Sequence, residues 1–216
     1  MYNQFWGFRE KPFKQVPNPD FLFLSAPHEE ALAHLDYALA EGDGFLMITG
    51  EVGTGKSTLC RAFLHELEDD VACAYIFNPK LNPLQLLKNI NTEFGISADA
   101  DTPHELIEWL NTFLIEKKAA DQKVVIIIDE AQNLSVESLE QVRLLSNLET
   151  TREKLVQIVL VGPNAEMGHA TNRLVAGLAI RVDRATVPHR FQRVDAVFHN
   201  LAARRPVDRH DQANAA

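Results

Sequence analysis

The segment Gly50-Glu51-Val52-Gly53-Thr54-Gly55-Lys56-Ser57 sets two glycines, a lysine and a hydroxyl at the spacing G-x-x-x-x-G-K-[ST]. Glycines let a backbone curl until successive N–H groups point at one anion, and a helix that follows adds its positive end. In such a loop Lys56 would reach the β and γ phosphates of a nucleotide, and the Ser57 hydroxyl would ligate Mg²⁺. Gly50, Glu51, Val52, Gly53, Thr54, Gly55, Lys56, Ser57 and Thr58 are therefore the expected nucleotide contacts. Local context supports this reading over accident, because an apolar run enters the motif and an amphipathic run leaves it.

A second cluster lies 73 residues beyond the lysine, where Val124-Val125-Ile126-Ile127-Ile128 ends in Asp129-Glu130. An aspartate at the tip of a strand beside a phosphate loop would hold Mg²⁺ through water, and the next glutamate would draw a proton from the attacking water. Alone, two acids after a strand are better read as a helix cap or a solvated turn. The phosphate loop upstream shifts the balance to Mg²⁺ for Asp129 and general base for Glu130. Gln132 and Asn133 could orient water or sense a γ-phosphate, but residues so placed more often form the turn into the next helix.

These groups need a scaffold, and the pattern of the chain supplies one. Pro12, Pro17, Pro19 and Pro27 make the opening loop-like. After Pro27, Leu32, Leu35 and Leu39 recur at helical spacing up to Gly42, a natural C-cap. Gly44–Thr49 predicts a buried strand, and Leu59, Phe63 and Leu67 line one face of a helix after the loop. Val71–Phe77 predicts a second strand. Asn82-Pro83 opens a helix carrying Leu84, Leu87, Ile90 and Phe94. Thr102-Pro103-His104-Glu105 has the form of a capping box, ahead of a helix with Leu106, Trp109, Leu110 and Phe113 facing inward. Val124–Ile128 is apolar on both faces, as in the centre of a parallel sheet. Ser135 caps a helix with Leu139, Val142, Leu145 and Leu148, and Leu155–Val161 predicts a fourth strand. Strand alternating with helix predicts an α/β domain of three layers, a parallel sheet with helices on both faces.

Composition bounds the rest. The chain has 216 residues, 46% hydrophobic and 24% charged, which excludes a fibrous repeat or disorder throughout. No apolar run approaches the roughly 18 residues of a membrane helix, and the opening is unlike a signal peptide, so a cytoplasmic protein is expected. Cys60 and Cys73 make neither a disulfide framework nor a metal motif, and both read as buried packing residues. The net charge of -9 is uneven: residues 1–162 hold 13 Lys and Arg against 25 acids, and residues 163–216 hold 8 arginines against 5 acids. An acidic body argues against non-specific nucleic-acid binding by bulk charge.

GEVGTGKSTLCRAF, NPKLNPLQLL and IIIDEAQNLSVESLEQVRLLSNLET, with the opening FREKPFKQVPNPDFLFLSAPHEEALAHL, resemble the AAA+ ATPases of the general secretion pathway protein A group. The likeness covers about residues 1–162. It implies a P-loop NTPase of AAA+ type with a five-stranded parallel sheet, using ATP and Mg²⁺ and working as a homo-oligomer. It implies partners in assembling secretion or pilus machinery, and a cytoplasmic location peripheral to the inner membrane. Related transposition helpers bind DNA, so a nucleotide-gated DNA adaptor is the alternative, and a nucleotide-binding form with little turnover is a third reading. ATP over GTP also follows from the resemblance, since no [NT]-K-x-D motif occurs.

Past Gly162 the likeness weakens. Leu178, Ala179, Arg181 and Val182 still match a family stretch, whereas Pro163-Asn164 replaces Gln-Pro. Asn164 is the nearest candidate for a γ-phosphate sensor. Arg181 is the candidate arginine acting across a subunit interface, with an ordinary surface arginine as the competing reading. No counterpart of the helical lid appears beyond Pro188, so an absent or truncated lid is expected. The organisation expected is thus 1–43 as N-terminal segment and first helix, 44–188 as ATPase core and 189–216 as an arginine-rich tail. Phe13, Phe21, Phe23 and His28 lie in a block that in this family packs near adenine, though cover for a sheet edge explains them as well. Arg143 and Arg152 read as surface residues, and Trp109 as core.

Overall fold

The structure, a computed structural model, describes residues 24–163 apart from Asp43, Glu68, Asp69, Asn78 and Arg152. Its elements are α1 (Ala26–Glu41), β1 (Phe45–Thr49), α2 (Lys56–Glu66), β2 (Val71–Ile76), α3 (Pro83–Glu93), α4 (Pro103–Ala119), β3 (Lys123–Ile128), a 3-10 turn (Ala131–Asn133), α5 (Val136–Leu145) and β4 (Gln157–Gly162). Among the described residues four strands form one sheet in the order β1-β4-β3-β2, and every pair is parallel. The fifth strand implied by the resemblance would lie outside the described residues.

The apolar run of β3 explains why it lies inside the sheet. Side chains alternate faces along a strand. Val124, Ile126 and Ile128 join a cluster with α3, α4 and α5, built around Leu86, Leu87, Ile90, Leu106, Leu110, Leu139 and Val142. Val125 and Ile127 face the opposite cluster, with Leu32 and Leu35 of α1 and Leu59, Cys60 and Phe63 of α2. Ile126, Ile127 and Ile128 are fully buried; each such side chain contributes roughly 1.5–3 kcal/mol by leaving water. The result is the three-layer α/β sandwich expected, with two helices over one face and three over the other among the described residues.

Helix ends follow local chemistry. Asn82 Oδ1 accepts from the Gln85 backbone N–H at 2.9 Å while the Gln85 side chain accepts from the Asn82 N–H at 3.2 Å, a closed capping box. Ser135 Oγ accepts from the Ser138 N–H at 3.1 Å, and Gly42 ends α1 in the left-handed region at φ 73°. The box expected at Thr102 closes only halfway. Its hydroxyl accepts from the Glu105 N–H, but the Glu105 carboxylate takes the Thr102 hydroxyl, 2.7 Å away, instead of the backbone.

Some expected faces shift. Trp109 and Phe113 are only partly buried, and Leu114 fills the core position one turn past Leu110. Trp109 is therefore at the margin of the core. β4 runs from Gln157 through Gly162; Leu155 and Val156 are buried ahead of it, with the Leu155 N–H donating to the Leu148 carbonyl at 3.0 Å. No helix among the described residues is long and apolar enough to cross a membrane.

Candidate functional site

Register brings the candidate groups to one end of the sheet. Thr49 is level with Gly162, and Ile128 with Leu160, so β1, β4 and β3 end at nearly one height. β4 separates the strand feeding the glycine loop from the strand feeding the acids. Two strand spacings, about 10 Å, lie between them, and the tip of β4 ends in that interval.

The loop follows β1 directly and leads into α2, as expected. Gly55 is the N-cap of α2 at φ 86°, a region that a side chain would penalise. A Cβ at Gly50 would meet Thr54 Oγ1 at 3.0 Å, so that position too suits only glycine without rearrangement. The Lys56 ammonium folds back over the loop and donates to the carbonyls of Gly50 at 3.0 Å and Glu51 at 2.7 Å. The Thr54 hydroxyl also donates to the Glu51 carbonyl, at 2.8 Å. Lys56, Ser57 and Thr58 form the first turn of α2, whose unpaired amides face the loop. Val52 is 90% exposed at the loop's tip, so its side chain is not a wall of the site.

Asp129 and Glu130 are held differently. Asp129 is 1% exposed. Its backbone N–H donates to the Ile76 carbonyl at 2.9 Å, extending the β2–β3 ladder by one residue. Its Oδ1 accepts from the Glu130 N–H at 2.9 Å and its Oδ2 from the Tyr75 hydroxyl at 2.8 Å. Glu130 then takes φ 53°, ψ 38°, a left-handed conformation that costs a non-glycine residue about 1–2 kcal/mol. The turn lifts the glutamate out of the sheet while leaving the aspartate in it. Gln132 Nε2 donates to Glu130 Oε2 at 2.6 Å, and the Gln132 amide oxygen is buried without a partner. Asn133, offered with Gln132 as a water-orienting group, lines a groove with Lys80, Leu81, Asn82, Pro83, Ser135 and Glu137.

A model of the AAA domain family matches residues 38–168. The chain belongs to the AAA domain family. It is 43% identical over 199 residues to the General secretion pathway protein A of Aeromonas hydrophila, a match covering 91% of this chain and 36% of that protein. Among solved structures it is similar to the ORC2 protein of Aeropyrum pernix (ADPNP-ADP complexes), at 19% identity, TM-score 0.54, over 76% of this chain and 48% of that one. It is likewise similar to Cdc6p of Pyrobaculum aerophilum, at 21% identity, TM-score 0.54, over 86% of this chain and 51% of that one. The chain spans about a third of the length of its curated relative and about half of these solved chains. The structural likenesses establish the P-loop NTPase fold, and the 43% identity sets the resemblance to the general secretion pathway protein A group on a measured footing.

Within this AAA domain the surroundings of two thiols show how the site is arranged. Cys60 sits on α2, completely buried, and its thiol is pushed up to about 12, first by burial, then by the Asp129 carboxylate, with Lys56 pulling the other way. Cys73 on β2, the outermost strand on that side of the sheet among the described residues, is only half-buried, contrary to the expectation from its strand. Its thiol is also raised to about 12, by burial and by Glu93. The folded value lies above the ordinary 9.0, so the folded state holds these protons more tightly. The associated stability is complete below about pH 9 and is lost as pH rises toward about 12. Iodoacetamide at pH 8 is expected to label native protein slowly and denatured protein fast; fast labelling of both thiols in the native state would contradict this environment.

Three contacts escaped the reading of the sequence. Tyr75 approaches Asp129 because β2 is the neighbour of β3, which alternation alone does not specify. Its phenol is pushed up by burial and then by the bonded Asp129 carboxylate. Gln132 was visible as a polar residue after the acids, but its bond to Glu130 depends on the left-handed turn. His28 lies 2.8 Å from the Thr54 carbonyl, at the loop and not merely near it in the fold. Arg143 pairs with Glu140 on α5 in a bidentate contact with both side chains over a third exposed, as a surface residue does. Asn164, Arg181, Arg152, Phe13, Phe21 and Phe23 lie outside the described residues.

Proposed function

We propose that this AAA domain binds ATP with Mg²⁺, hydrolyses it, and couples turnover to conformational change in the assembly of a secretion- or pilus-type envelope complex. The observation that carries this reading is the Lys56 ammonium resting on the Gly50 and Glu51 carbonyls at the mouth of the glycine loop. A phosphate entering the loop would replace those two carbonyls with charge-assisted partners. Mg²⁺, when bound, would neutralise charge on the phosphate oxygens. Ser57 and Asp129 offer the hard oxygen donors that such an ion takes, and each Asp129 oxygen accepts one hydrogen bond and keeps a lone pair. Tyr75 and the Glu130 N–H fix the direction of that carboxylate. Glu130, held at one oxygen by Gln132, is the group to accept the proton of the attacking water.

The secretion role draws on the name of the Aeromonas hydrophila relative, with which this chain shares a third of that protein's length. A homo-oligomer, with Arg181 reaching a neighbour's phosphate and Asn164 sensing it, belongs to the same reading, as does a location at the inner membrane through partners. Steady-state ATP hydrolysis by the purified chain over a range of protein concentrations tests it. Specific activity that rises with concentration is expected, since an arginine supplied by a neighbour raises turnover steeply. Flat, negligible turnover alongside ATP binding would overturn hydrolysis, and no ATP binding would overturn the whole reading.

A further inference from the structure

The His28 ring, in the first turn of α1, is bonded at both nitrogens. Nδ1 lies 2.7 Å from Ser25 Oγ and 3.4 Å from the Ser25 backbone nitrogen, and Nε2 lies 2.8 Å from the Thr54 carbonyl oxygen. A carbonyl only accepts, so Nε2 carries a hydrogen; a backbone N–H only donates, so Nδ1 is bare. One neutral tautomer satisfies all three contacts, with the ring accepting from Ser25 and donating to Thr54. The same ring therefore completes the capping box of α1 and reaches 26 residues along the chain into the phosphate loop.

The carbonyl it holds is well placed to matter. Thr54 C=O and Gly55 N–H belong to one planar trans peptide, so they point in opposite directions. Holding the carbonyl toward α1 turns the Gly55 N–H away from α1. Gly55, at φ 86°, is the residue at which this peptide could most easily flip, because glycine tolerates both senses. Within the loop the Thr54 side chain and N–H both bond the Glu51 carbonyl, at 2.8 and 3.3 Å, which fixes the rest of that turn but not the 54–55 peptide. The family match begins at residue 38, ten positions past His28, so the ring lies upstream of the matched domain while the carbonyl it holds lies inside it.

We propose that His28 is a positioning residue for the phosphate loop: it locks the Thr54–Gly55 peptide so that the Gly55 amide is pre-oriented for an anionic phosphate, and makes α1 part of the nucleotide site. This rests on the nucleotide reading above for its consequence, though not for the contact itself. A loop held in its binding conformation loses less entropy on binding.

The test uses the full chain with His28→Ala, His28→Gln and His28→Asn. Glutamine can place an N–H near the Nε2 position, whereas asparagine reaches only the Nδ1 position and can serve the cap alone. Titration with Mg-ADP is expected to show roughly 5- to 10-fold weaker binding for His28→Ala, the value of one hydrogen bond. His28→Gln should stay near wild type and His28→Asn should resemble alanine, with KM for ATP rising and kcat nearly unchanged. Hydrogen exchange of the nucleotide-free protein should be faster over residues 51–57 in the alanine and asparagine variants only. Asparagine behaving as wild type would reduce His28 to a helix cap and overturn the proposal. So would a His28→Ala protein with wild-type affinity and wild-type exchange in the loop. If wild-type protein binds no Mg-ADP, the nucleotide reading fails, and the exchange rates still decide whether the ring holds the loop.

Discussion

Lys56→Ala is expected to abolish binding of Mg-ATP at concentrations that saturate wild-type protein, with Kd raised at least about 100-fold. The size follows from what the ammonium does. In the structure it donates to two loop carbonyls, Gly50 and Glu51, and so stands over the curl of amides that precedes α2. A triphosphate brings several negative charges to that point, and charge-assisted hydrogen bonds are worth about 1.5–3 kcal/mol each. Loss of two such bonds and of the only lysine in the loop removes a factor of 10² or more, on the order of 3 kcal/mol. The fold should survive, because the carbonyls left behind are in reach of water and the substitution touches no core cluster. Calorimetric titration beside a denaturant curve checks both halves. Wild-type affinity in the variant would remove Lys56 from the site, whereas lost affinity with a collapsed stability curve would show that its role is structural.

How much of this site was legible in the sequence depends on whether a contact is local. The loop, the strand-plus-acids cluster and the capping residues Asn82 and Ser135 are written in spacing and side-chain type, and they stand where expected. Strand order is not so written. A period of two tells which residues share a face, never which strand lies alongside, so β4 between β1 and β3 could not be read. Every contact missed follows from that gap or from a turn. Tyr75 meets Asp129 only because β2 pairs with β3. His28 meets Thr54 only because α1 packs on the face where α2 begins, and Leu32, Leu35, Leu59 and Phe63 sharing one cluster is a property of the fold, not of either segment. Cys73 and Trp109 were placed too deep for a related reason: apolar spacing identifies an inward face but not whether that face reaches the sheet's edge.

Glu130→Gln is expected to separate binding from chemistry. The substituted amide keeps the shape of the carboxylate but cannot take a proton, so Mg-ADP affinity should stay within about 2-fold while kcat falls by about 10² to 10⁴. The backbone argues for the same split. Glu130 is held at φ 53° by its own N–H bonded to Asp129 Oδ1 and by the 3-10 turn that follows, none of which uses its side chain. The substitution therefore leaves Asp129, Tyr75 and the loop where they are, and the change is confined to the group that Gln132 orients. Gln132 donates to one oxygen of Glu130 and its own amide oxygen is buried without a partner, so it is poised to accept from whatever donor enters, a water included. Single-turnover hydrolysis with saturating ATP, set beside equilibrium binding of Mg-ADP, gives both numbers. Wild-type kcat would show that the proton goes elsewhere. A joint loss of affinity and turnover would show that the carboxylate's charge, not its basicity, is what the site requires, and would move Glu130 from proton acceptor to part of the metal's surroundings.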